Sequence, residues 1–125
     1  MNNKIDLKIL QETITDLKNN PNACTTFEGA KEINDTFAIL ESYPGEQLSK
    51  FIQYFYENDL IDQDYIENYE KIKDKKIEEF TYDEVLTGLT KIIREDRFNS
   101  GEIYTCVKNG SMLKLIERLY ELSLK

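Results

Sequence analysis

The chain has 125 residues and 14.7 kDa, the size of one ordinary domain, and its 40% hydrophobic and 32% charged residues suit a folded, soluble protein better than a disordered one. Sixteen basic and 24 acidic side chains leave a net charge of −8, and there is no histidine. That absence excludes imidazole acid–base catalysis, Ser-His and Cys-His nucleophiles and His-bearing zinc or iron sites.

Apolar residues recur at helical spacing along most of the chain. Residues from about Lys4 to Asn19 place Ile5, Ile9, Leu10, Ile14 and Leu17 on one face, and Asn20-Pro21-Asn22 ends that helix. The stretch from about Thr26 to Ser42 allows a helix through Ala30, Ile33, Phe37 and Leu40 or, equally, a short β-hairpin near residues 25–42. Pro44-Gly45 breaks the chain, and Glu46 to Asn58 then carries Leu48, Phe51, Ile52 and Phe55 on one stripe with Tyr54 and Tyr56 beside it. A fourth helix runs through Tyr65, Ile66, Tyr69 and Ile72 into the charged stretch Lys71 to Glu79. Thr81-Tyr82-Asp83-Glu84 has the capping-box form, in which hydroxyl and carboxylate each satisfy an orphan backbone donor, and it opens a helix with Val85, Leu86, Leu89, Ile92 and Ile93. A short helix from about Ser100 to Lys108 follows, Asn109-Gly110 supplies a left-handed stop, and Ser111 is placed to cap the last helix. That helix bears Met112, Leu115, Ile116, Leu119 and Leu122, a stripe wide enough for a central core element. The expected fold is all-α: a compact bundle of five or six helices in a single domain over residues 1–125.

Ile92-Ile93-Arg94-Glu95-Asp96-Arg97-Phe98-Asn99-Ser100-Gly101-Glu102, followed by Asn109-Gly110-Ser111 and the helix ending Glu117-Arg118-Leu119, resembles a bacterial family known only as domain-of-unknown-function family 6508. Its usual ending is an apolar pair, R-x-D-R-F-x-x-G, a second glycine about eight residues on, and an apolar helix closing on R-L. Pro44 to Tyr65 is also similar to the family's middle, so the likeness spans about residues 44–122 and is strongest at 92–119. Where family members often carry Asp-Trp, this chain has Asp64-Tyr65 and no tryptophan. The resemblance implies a mainly helical fold and supplies no reaction.

Arg94 and Arg97 are two of only three arginines and stand three residues apart, close enough to share a helix face. With Asp96 and Glu102 they form the candidate ligand-binding group, because guanidinium forks hold phosphate or carboxylate bidentately. The plainer reading is a helix-ending brace, in which Asp96 or Glu102 pairs with Arg97 and caps the next helix while Phe98 fills the core, and this reading is preferred. Between Glu57 and Glu84 lie 11 acidic residues against four lysines, a local charge of −7, so most of the net charge sits there. Such a run is usually a solvated face; it also suits docking on a basic protein surface or imitation of nucleic-acid phosphates, and it disfavours direct nucleic-acid binding. Asp62-x-Asp64 has the start of a calcium loop but lacks its glycine and its twelfth-position acid, Lys73 standing there instead. Tyr54, Tyr56 and Tyr65, with Asp62 and Asp64, make the candidate interaction surface.

Cys24 and Cys106 are too few for a Cys₄ site or a disulfide framework and are expected to be buried, reduced packing residues. Residues 1–10 do not read as a signal peptide, and no apolar run reaches membrane-spanning length, so a cytoplasmic protein without membrane partners is expected. Thirteen lysines against three arginines fit an AT-rich bacterial or phage genome. No catalytic set, metal site or cofactor motif is recognisable, and the reading leans away from an enzyme. The expected function is a non-catalytic protein-interaction module with an unidentified protein partner, self-association as a homodimer being open. The alternatives are an anionic-ligand-binding protein or enzyme using the Arg94–Arg97 segment, and an acidic nucleic-acid mimic that inhibits a nucleic-acid-binding protein.

Overall fold

The computed structural model describes residues 5–20, 23–27, 41–96 and 102–124. In chain order these form α1 (Leu7–Asn19), β1 (Cys24–Phe27), β2 (Glu41–Pro44), α2 (Glu46–Glu57), α3 (Tyr65–Ile72), a 3-10 turn at Ile77–Glu79, α4 (Tyr82–Glu95), α5 (Glu102–Lys108) and α6 (Ser111–Ser123). The fold is helical, as the 3.6-residue spacing requires. Among the described residues the one addition is a two-stranded antiparallel sheet that pairs Cys24 with Pro44 and Phe27 with Glu41.

That sheet decides part of the ambiguous segment. A helix from Thr26 to Ser42 is not formed at either end, because Thr26 and Ser42 are strand partners. The β-branched pair Thr25-Thr26 flanked by Phe27, and Tyr43 opposite, favour extended backbone over helix. Residues 28–40, with the expected core positions Ala30, Ile33, Phe37 and Leu40, lie outside the described residues.

The helix ends follow from local chemistry. Asp6 caps α1 by accepting the Lys8 N–H at 2.9 Å, so this helix starts later than its apolar spacing suggests and Ile5 is buried ahead of the cap. At α4 the Thr81 hydroxyl accepts the Glu84 N–H at 3.3 Å and the Glu84 carboxylate accepts the Thr81 N–H at 2.9 Å, which completes the capping box. Gly110 takes φ +87° between α5 and α6, a backbone region that side chains with a Cβ resist. Ser111 does not cap α6; it lies inside the helix, and the capping oxygen is Asn109 Oδ1, which accepts the Ser111 N–H at 2.8 Å. The longer Asn109 side chain, one residue before the left-handed glycine, is the one that reaches the helix start.

Four helices share the core. Leu10 of α1, Leu48, Phe51 and Phe55 of α2, Val85 and Leu89 of α4, and Met112, Ile116 and Leu119 of α6 are completely buried. Each such side chain contributes roughly 1.5–3 kcal/mol through removal from water. Helix α6 is central, packing on α1, α4, α5 and the 3-10 turn, as its wide apolar stripe requires. Its approach to α4 is set by Gly88, where an added Cβ would stand 3.1 Å from Leu115 Cδ2 and 3.6 Å from the Phe80 ring. A glycine inside a helix normally costs about 1 kcal/mol relative to alanine. Here it gives the two helices room to close. Arg118 then ties α6 to the start of α4, donating through Nε to the Phe80 carbonyl at 3.0 Å.

Gly88→Val introduces a branched side chain into this seam and is expected to lower stability by about 1–3 kcal/mol, read as a lower urea midpoint at unchanged slope. An unchanged midpoint would contradict the close approach. Gly110→Ala has open space around its Cβ and pays only for the backbone, about 1–2 kcal/mol, and Gly110→Asn is expected to lose less than Gly110→Ala.

Candidate functional site

The acidic segment spans the end of α2, the connection to α3, α3 itself and the entry to α4. Of its 11 carboxylates nine are exposed, while Asp62 and Glu84 are half-buried and act within the fold. Asp62 is the centre of a polar knot. Its Oδ1 accepts the Asp64 N–H at 2.9 Å, and its Oδ2 accepts from Asn68 Nδ2 at 2.9 Å and from the Thr87 hydroxyl at 2.6 Å. The Asp62 N–H donates to Thr90 Oγ1 at 2.9 Å. One residue thus fixes the turn that starts α3, a residue within α3 and two side chains of α4. Burial raises the Asp62 carboxyl, but the hydrogen bonds from Asn68, Thr87 and the Asp64 backbone outweigh it and hold the group below the ordinary carboxylate range. Asp62-x-Asp64 thus forms a turn closed by its own side chain, with Oδ1 on the Asp64 N–H and Oδ2 on Asn68 and Thr87.

Beside this knot lies a half-open cleft of about 520 Å³, lined by Asp59, Asp62, Asp83, Glu84 and Lys71. Glu84 is committed to its capping box and to Lys75 at 2.7 Å; the bond to Lys75, with that from Thr81, keeps its carboxyl below its usual value. Asp59 sits at φ +54°, a left-handed turn that the short acidic side chain tolerates. Among the described residues no group of three or more Cys, Asp or Glu side chains is arranged to hold a metal ion.

The tyrosines of the candidate surface divide. Tyr54 is half-buried and its hydroxyl accepts the Asp6 N–H at 2.8 Å, so it fastens α2 to the start of α1. Tyr56 is 40% exposed, Asp64 is exposed and Tyr65 is half-buried at the start of α3. Next to Tyr65, Ile66 is 67% exposed.

The arginine segment is organised as a junction. Arg94 is half-buried near the end of α4, which stops at Glu95 with Asp96 as its C-cap. Arg97 and Phe98 lie outside the described residues. Asp96 Oδ1 accepts the Ile103 N–H at 3.0 Å and so caps the start of α5, the part of the brace reading that is visible here. Glu102 faces Lys91: Lys91 Nζ lies 3.0 Å from Glu95 and 3.9 Å from Glu102, and 4.9 Å from the centre of the Tyr69 ring. Burial lowers the Lys91 amine, but Glu95 and Glu102 outweigh it and keep it above its ordinary value. It is a charged clamp joining α3, α4 and α5, not a neutral nucleophile. Glu95 and Asp96 serve different partners, as neighbours about 100° apart on a helix do.

Both cysteines are buried thiols. Burial pushes each thiol up to about 11, with Asp96 adding to the effect on Cys24 and Glu102 to that on Cys106. The Cys106 thiol donates to Glu102 Oε2 at 3.7 Å. Neither is activated for nucleophilic work. Sequence reasoning missed Asn68, Thr87, Thr90 and Lys91. The signal for the threonines was present: Thr87 and Thr90 are interleaved with the apolar positions Val85, Leu86, Leu89, Ile92 and Ile93.

Asp62→Asn is expected to reduce stability at neutral pH by about 1–2 kcal/mol, because a charge-assisted acceptor becomes an amide that must present one nitrogen to donors. The depressed folded-state value means that the aspartate's extra contribution is complete above its unfolded value of 3.8 and is lost as pH falls through the folded value. The stability gap between wild type and variant, followed by urea titration, should therefore narrow on acidification below about pH 4; a gap independent of pH would disprove the charged knot. A disulfide-exchange reagent at pH 8 should label neither cysteine in the folded protein and both in urea. Rapid labelling of the native state would show that the thiols are not held up by burial.

No helix among the described residues is long and apolar enough to cross a membrane. No curated protein and no solved structure matches the chain. One family model does, that of DUF6508, a family of unknown function, over residues 2–124. The match takes in the arginine junction, the acidic segment, and also residues 2–43 that the sequence motifs left uncovered, and the chain is therefore a member of DUF6508.

Proposed function

We propose that this protein is a non-catalytic protein-interaction module whose docking face is the outer side of the acidic segment, from Tyr56 through Asp64 and Tyr65 to α3. The observation that carries the reading is the division of labour among its carboxylates. Those that the fold needs, Asp62 and Glu84, are half-buried and bonded, while nine others stand exposed, as do Ile66 and Tyr56 in the same segment. An apolar contact within a field of one sign favours a partner surface that is basic at its edges, since charge complementarity speeds encounter and rejects wrong partners. Tyr54 and Asp62 belong to this reading as supports: one hydroxyl anchors α2 and one carboxylate anchors α3, so that the presented face is held rigid.

The chemistry available elsewhere supports the absence of catalysis in the proposal. Lys91 is held charged between two carboxylates, Cys24 and Cys106 are raised thiols, and Asp96 of the arginine junction closes the start of α5.

The test is an affinity pull-down from the native host's lysate after nuclease treatment, with folding of each variant checked first by thermal melting. A protein captured by wild type should be lost with Asp64→Lys/Glu67→Lys, which reverses charge on the exposed face, and retained with Thr15→Lys on α1. Equal capture by all three proteins, or no captured protein at all, would overturn the proposal. Loss of capture on nuclease treatment would instead point to a nucleic-acid-linked complex.

A further inference from the structure

We draw no further inference here: the strongest candidate, the half-open acidic cleft between the loop before α3 and the start of α4, is a cluster of carboxylates into which no buried, unpartnered polar side chain is aimed among the described residues, so nothing in the structure shows what would fill it.

Discussion

The seam between α4 and α6 sets the geometry of this molecule. Both helices are apolar along a broad stripe, and Gly88 removes the one side chain that would hold them apart at Leu115. Once they meet, little else is free to vary. Arg118 seats α6 against the Phe80 carbonyl at the entrance to α4. The left-handed Gly110 then returns α5 onto the same pair, and α1 covers the other flank of α6. Interiors packed to crystal-like density tolerate few alternatives at such a crossing.

A second layer of organisation is polar. Asp62 collects α3 and α4, Lys91 collects α3, α4 and α5, and Asp96 hands the chain from α4 to α5. These contacts join helix bodies as well as helix ends, and they add directional bonds to the apolar packing. An acidic protein has carboxylates to spare for such duties. The ones so used are half-buried and paired, and the remainder set the surface charge.

Helix positions were readable from the spacing of Leu, Ile and Phe, and the α4 start from Thr81 and Glu84, because these features act within a few residues of sequence. The Asn109-Gly110 stop was readable for the same reason, although the capping oxygen comes from Asn109 and not Ser111. What escaped the sequence is whatever depends on which helices touch. Asp62 looked like one surface acid among many, and its partners Thr87 and Thr90 lie 25 and 28 residues away. Likewise Glu102 was grouped with the arginines by proximity in sequence, whereas its carboxylate lies toward Lys91 of α4. The candidate surface was half legible: composition located the acidic stretch, but only packing could separate the inward tyrosine and aspartate, Tyr54 and Asp62, from the outward ones.

Helix α3 differs from the other elements in how it is held. It buries a single residue, Ile72, and its main packing is on α4 through the Asp62 knot and the Tyr69–Lys91 contact. Its attachment is therefore concentrated in a few directional bonds and owes little to the shared apolar core. A cooperative unit fastened in that way opens at a free-energy cost below that of the whole molecule. The firmness of the acidic face therefore rests on the Asp62 and Lys91 contacts, and whatever weakens those bonds loosens α3 before it loosens the packing of α1, α2, α4 and α6.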